Sequence, residues 1–464
     1  MNKQTTPAKQ AHPHAAARAE LEAVLTANPA IQFVDAAIAD ICGALRGKRI
    51  AVSDAAKLFE SGMQIPLSLH LMDVRGEMMN PSGRGYSDGD PDGTAWPIPG
   101  TVTEVWGADP PRAQMLMGLR DNSGATLSYD PRAILERVLA RFGELNLTAV
   151  AAHELEFYLI DENRDEKGGP LPPISPRTGK RENTPSVYGI DDLDRYQGFL
   201  TALSKAAVLQ RVPMTAVSKE YSPGQFEANL RHQKNALAAS DHAIFLRQIV
   251  KGAALSQNFQ ATFMAKPYAQ GLGSGQHVHL SLVDGDGRNV FDNNTAEGSE
   301  LLRFAAGGLA TLMPESMAFF APNPNSYRRF QPDMFAPVNR RWGINNRSAG
   351  VRVPTGPSEA RRVEHRCAGA DANPYLVMAA ILAGVHHGIV NRIDPGPPAI
   401  GNVSREPDSA LPFSLGDALS RLQGASVLPS YFGAQAISLY RETKVLELAR
   451  FRKIITAEEY AWYL

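Results

Sequence analysis

Two periodicities divide the chain into elements. Residues 15–27 (AAARAELEAVLTA) have helical composition and stop at Asn28-Pro29. Residues 32–41 and 48–52 read as strands, and Arg46-Gly47-Lys48 predicts a hairpin turn between them. Residues 80–100 are so dense in Gly, Pro and Asp that they predict a long irregular loop. Asp130 as N-cap and Pro131 in the first turn predict a helix over the RAILERVLARFGEL stretch that follows. Further helices are expected at 241–259 and 375–390, among strands of period two. A boundary near 123 divides a polar tail (1–14) and a first unit (15–122) from a second unit (123–464).

The chemistry lies in strands that carry ionisable residues two apart. In HELEFYL, Glu154 and Glu156 alternate with Leu155 and Phe157, so both carboxylates point to one face. In GQHVHL, His277 and His279 share a face opposite Val278 and Leu280. In RVEHR, Glu364 stands between Arg362 and Arg366. In KEYSPGQFE the turn signal Pro223-Gly224 lets Glu220 and Glu227 face each other across a hairpin. Any one of these alone reads as a solvated sheet face. Together they make an oxygen-rich set with one or two imidazoles, suited to Mg²⁺ or Mn²⁺ rather than structural zinc.

Composition changes the picture by exclusion. The 464 residues are roughly three domains' worth of chain at about 150 each. With 44% hydrophobic and 20% charged residues, global disorder is excluded. Lys plus Arg (47) nearly cancels Asp plus Glu (48), which argues against nucleic-acid and membrane-surface partners. Cys42 and Cys367 form no Cys-rich motif and no secretory h-region is visible, so a cytoplasmic protein is expected. Arginines gather instead within NSYRR, NNRSAGVR and ARR (Arg328, Arg329, Arg347, Arg352, Arg361, Arg362). Their planar forks suit phosphate and carboxylate oxygens, and with divalent metals they point to phosphoryl transfer. No P-loop or protein-kinase signature is present.

Taken in order, HELEFYL, KEYSPGQFE, GSGQHVHLSL, NSYRRFQPDMFAPV, NNRSAGVRVP and ARRVEHRCAGADANPYL resemble the glutamine synthetase family, over roughly 130–390. The resemblance implies an α+β fold, with a small N-terminal β-grasp domain and a large catalytic domain built on a curved antiparallel sheet. It also implies stacked hexameric rings, hexamer or dodecamer, with sites between neighbours. By motif position, Glu156, Glu220 and Glu227 would hold one metal, and Glu154, His277 and Glu364 the metal bridging the ATP phosphates. His279, Arg347, Arg352 and Arg362 would contact the nucleotide and phosphates, with Ser281 and His232 at the nucleoside. Arg329 and Arg366 would clamp glutamate, and Gly273 would offer it a backbone contact. The catalytic set is then Arg347, Glu364 and Arg366.

Two positions depart from the ammonia-using members of the family. Phe335 stands where they carry an acid, and residues 64–69 (QIPLSL) replace a segment bearing their ammonium-binding aspartate. Leu272 stands where they often have asparagine. A site without these carboxylates cannot compensate an ammonium ion, and an apolar wall suits an alkylamine. The resemblance is to the γ-glutamylpolyamine branch: an ATP-dependent glutamate–amine ligase acting on putrescine or another polyamine, in polyamine catabolism. Asp73, Glu77 and the acids of 88–92 are candidates for a distal amine. Alternatives are a monoamine ligase (ethanolamine, alkylamine or aromatic amine, with Phe335 against the substrate), a true glutamine synthetase, or a silent oligomeric homologue.

Overall fold

The computed structural model describes residues 14–464, so the expected tail lies outside the described residues except for His14. The first helix is Ala15–Ala27, as its composition predicts. Six strands follow: Phe33–Ala39 (β1), Leu45–Ala51 (β2), Met63–Pro66 (β3), Asp92–Pro97 (β4), Thr103–Glu104 (β5) and Arg112–Arg120 (β6). They form one sheet in the order β2-β1-β6-β4-β3, with β5 also on β6 and β1 parallel to β6.

Two expectations fail here. Arg46, Gly47 and Lys48 lie inside β2 rather than at a turn, with Gly47 opposite Ala37. A side chain at Gly47 would run into the Ala36 carbonyl, so this glycine marks close backbone approach instead of a reversal. The chain turns at 40–44, where the Asp40 carboxylate accepts the N–H groups of Cys42 and Ala44 at 2.9 Å each. Residues 80–100 are not all loop, because β4 occupies 92–97 and buries Gly93, Ala95 and Pro97 on one face. Small inward residues hid that alternation.

The second sheet has eight strands: Thr148–Ile160 (β7), Met214–Lys219 (β8), Gln225–Leu230 (β9), Gln260–Thr262 (β10), Gln276–Val283 (β11), Trp342–Ile344 (β12), Val351–Val353 (β13) and Val363–His365 (β14). Their order is β12-β13-β14-β11-β7-β9-β8, with β10 also on β7. All pairings are antiparallel except β12 with β13. On the back of β7, Phe157 packs on Phe199, Phe226 and Phe263 at ring separations of 5.6–6.1 Å. That aromatic layer buries one face of the sheet and leaves the other to the charged residues. This is the α+β fold class that the resemblance implies.

Asp130 caps Pro131–Gly143 as predicted, accepting from the N–H groups of Arg132 and Ala133. The helices expected at 241–259 and 375–390 run Ala236–Leu255 and Pro374–Val390. Asn373 caps the latter and donates to the Asp40 carbonyl at 2.8 Å, tying this helix to the turn after β1. Among the described residues no helix is long and apolar enough to cross a membrane.

Candidate active site

Strand register assembles the site. Glu154 on β7 lies opposite His277 on β11 and opposite Asn229 on β9. Glu156 lies opposite Glu227, and His279 opposite Glu364, which in turn pairs with Arg352 on β13. Directly opposed residues share a face, so five strands present one continuous charged surface.

Glu154 is its centre. Its carboxylate meets His277 Nδ1 at 2.8 Å and His279 Nε2 at 3.4 Å, and accepts the Asn229 side-chain amide at 2.7 Å. Two groups have donor atoms within 4.8 Å of one another: Glu154 with His279 and Glu364, and Glu154 with Glu227 and His277. Glu154 thus belongs to both groups, and His279 joins the candidate metal donors instead of standing only with the nucleotide contacts. Glu156 accepts from the Gly275 N–H at 2.8 Å, and Glu220 sits at the end of β8 beside this row.

The electrostatics divide the carboxylates. Burial works to raise Glu154, but hydrogen bonds from His277 and His279 outweigh it and hold the carboxyl far below its ordinary range. Burial also opposes the charge on Glu364, yet Arg366 and the two imidazoles hold it at about 2. Glu220 and Glu227 go the other way. Burial, then Glu156 and Glu154, push Glu220 up to about 7, and burial with Glu154 raises Glu227 further. A wall of carboxylates that cannot all ionise is what a divalent cation relieves, and the donor set has no cysteine, so the residues fit a hard ion.

A pH dependence follows. A carboxyl raised in the folded state costs the metal-free fold stability as pH climbs from the unfolded value of 4.5 through 7. A divalent ion held by Glu220 would require its carboxylate deprotonated, so the rise in melting temperature on adding MgCl₂ should then be larger at pH 8 than at pH 5.5. Equal shifts at both pH values would contradict it.

The arginines separate into layers. Arg347, Arg352 and Arg362 line a cavity of about 1300 Å³ together with Glu154, His279, Ser281 and His232. Arg352 donates to Glu364 at 2.7 Å, and Arg362 to His279 Nδ1 at 3.1 Å. Arg366 donates to the other Glu364 oxygen, and Arg329 is 3% exposed with a bond to the Cys367 carbonyl. A Cβ at Gly273 would strike the Arg329 Cγ, so the glycine makes room for the methylene stem of that side chain. Arg361 instead bonds the Thr295 carbonyl, and Arg328 faces a second cavity of about 770 Å³.

Asp73 lines that second cavity, and it and Glu77 are ion-paired to Arg450 at 3.5 and 2.8 Å. Phe335 is 62% exposed and does not line the larger cavity. Residues 64–69 end β3 and enter a short helical turn, burying Ser68 and Leu69.

Three participants escaped sequence reasoning. Asn229 bridges Glu154 and Glu227 and sits two residues after Glu227, the same spacing as the other pairs. Gln225 donates to the Gly273 carbonyl at 3.2 Å, and Tyr158 donates to the Leu272 carbonyl at 2.6 Å. Neither has a signal in sequence, because their partners are fixed only by strand pairing.

Residues 128–463 match the family described as "Glutamine synthetase, catalytic domain". The gamma-glutamylputrescine synthetase PuuA of Escherichia coli (strain K12) is 41% identical over 446 residues, 96% of this chain and 94% of that protein. A glutamate–isopropylamine ligase of a Pseudomonas species is 31% identical over 437 residues, 92% of this chain and 93% of its own. A solved structure of GmaS without ligand superposes with a TM-score of 0.82 at 26% identity, covering 95% of this chain and 98% of that one. The charged row, the fold and these matches agree, and the chain belongs to the glutamine synthetase family.

Proposed function

We propose that this chain is an ATP-dependent glutamate–amine ligase whose amine is putrescine or another polyamine, serving polyamine catabolism in the cytoplasm. The observation that carries it is the row Glu227–Glu156, Asn229–Glu154–His277 and His279–Glu364–Arg352, laid across five strands by register. The relative named for γ-glutamylputrescine supports the choice of amine.

In this reading residues 15–122 form the N-terminal domain and 123–464 the catalytic domain of a ring-forming homo-oligomer. Glu154, Glu156, Glu220, Glu227, His277, His279 and Glu364 would hold Mg²⁺ or Mn²⁺. Bound divalent ions supply neutralisation of phosphate charge. Arg347, Arg352, Arg362, Ser281 and His232 bind ATP. Arg329, Arg366 and the Gly273 backbone orient glutamate, so that its γ-carboxylate faces the terminal phosphate. A γ-carboxylate oxygen forms a bond to the terminal phosphorus, and ADP leaves. The amine nitrogen then forms a bond to the acyl carbon, phosphate leaves with that oxygen, and the nitrogen gives up a proton. Arg347 and Arg366 face the charge that develops on the transferred group.

Glutamate labelled with ¹⁸O in its γ-carboxylate tests the route. With ATP and putrescine, the released phosphate should carry one ¹⁸O per turnover. Unlabelled phosphate would mean attack by water and would overturn it.

A second reading is a monoamine ligase, favoured by the 31% identity to an isopropylamine ligase. A true glutamine synthetase lacks support from Phe335 and 64–69. A silent homologue is disfavoured by the retained donor groups.

A further inference from the structure

The alternation that turns Ser218 and Glu220 toward the charged face turns Lys219 to the back of the sheet, where it is 1% exposed. Its ammonium lies 5.5 Å above the Phe226 ring, within the aromatic layer. A lysine there must find partners for its charge. It donates to the carbonyl of Ser222 at 2.8 Å and to that of Glu220 at 3.1 Å, and sits 3.6 Å from a Glu182 carboxylate oxygen. The same Glu182 oxygen accepts the Gly224 N–H at 2.6 Å. One buried ion pair therefore grips both ends of the turn at 220–224 from beneath.

The turn is held from the site side as well. The Glu220 N–H donates to the Gln225 carbonyl at 2.9 Å, and the Ser222 hydroxyl accepts the Leu272 N–H at 2.8 Å. The turn thus joins Glu220 to the backbone at Leu272 and Gly273. Glu220 stands among carboxylates that repel it, so a loose turn would let it swing away from a metal.

We propose that the buried Lys219–Glu182 pair is a positioning device for the ligase site, fixing the turn that carries Glu220 so that its carboxylate stays in place for a divalent ion. The proposal rests on the reading of Glu220 as part of a metal site. Strand alternation makes it specific: Lys219 touches no reacting atom and acts only through the backbone of its neighbours.

The test is Mn²⁺ binding to the full-length protein, followed by electron paramagnetic resonance, with kcat and the KM for glutamate measured alongside. Lys219→Met should weaken Mn²⁺ binding at least tenfold and raise the glutamate KM in protein that remains folded by circular dichroism. Glu182→Gln, which keeps an acceptor for Gly224, should weaken it at least threefold. The double variant should bind Mn²⁺ better than Lys219→Met, because no unpaired carboxylate is left buried. A role confined to folding would lower the melting temperature and leave Mn²⁺ affinity within twofold of wild type, and that result overturns the proposal. If Lys219→Met does not fold, unchanged affinity in Glu182→Gln overturns it equally. Glu220→Gln separates the two levels. Lost Mn²⁺ affinity there with none lost in Lys219→Met sinks the positioning role alone, whereas no change in Glu220→Gln sinks the metal reading and this proposal with it.

Discussion

Replacing Glu364 by alanine should reduce turnover about a thousandfold or more while leaving a folded protein. The residue is 1% exposed, and Arg352 and Arg366 each donate to a different one of its two oxygens. It is one of three donors grouped with Glu154 and His279. Removing it deletes a candidate metal ligand and strands two guanidiniums that the proposed reading assigns to phosphate and glutamate. Unpairing a buried charge costs about 3–5 kcal/mol, so the alanine variant should also melt earlier. Glu364→Gln separates the effects. It keeps the volume and an acceptor for the arginines, so its melting temperature should lie nearer wild type while its turnover stays lost. Phosphate release and thermal melting of both variants check this. A glutamine variant with more than a tenth of wild-type activity would contradict the assignment.

Much of the site was legible because strand chemistry has period two. Glu154 with Glu156, His277 with His279, and Glu364 with its arginines each show a shared face from spacing alone. What spacing cannot show is which strand pairs with which, and in what register. Hence His279 reads from its motif as a nucleotide contact, yet pairing of β11 with β7 and β14 brings it within 3.4 Å of Glu154 and into a group with Glu364. Asn229 shares the two-residue spacing with Glu227, but an uncharged amide does not stand out as a site residue until β9 lands beside β7. The same limit explains the errors in the first sheet. Gly47 has the composition of a turn, but its function is to let two backbones approach. In β4 the inward residues are Gly93, Ala95 and Pro97, too small to register as a hydrophobic alternation. The helices fared better, since a cap such as Asp130 is a local signal.

The amine is the other large effect. Phe335 has φ 55°, uncommon for a bulky side chain, and is 62% exposed. Its loop is anchored by Asp333, which bonds Ser404 and Arg405 at 2.9 and 2.8 Å. That acid is therefore engaged and does not replace the carboxylate that ammonia-using relatives carry at 335. Residues 64–69 offer no acid either, and they are partly buried in their own sheet. On the proposed reading, an ammonium ion bound between these two segments would give up its hydration with no carboxylate from either to meet it. Even about 3 kcal/mol of that penalty corresponds to more than a hundredfold in selectivity. An alkylamine recovers the loss through its methylene groups, at about 0.8 kcal/mol for each one buried. Isopropylamine, ethanolamine and aniline in the same panel separate a polyamine site from a monoamine site. The direct measurement is phosphate release by the purified protein with ATP, Mg²⁺ and glutamate, as each amine is added. Turnover per molar amine should be at least a hundredfold higher with putrescine than with ammonium, and faster turnover with ammonium, or none with any amine, would contradict the account.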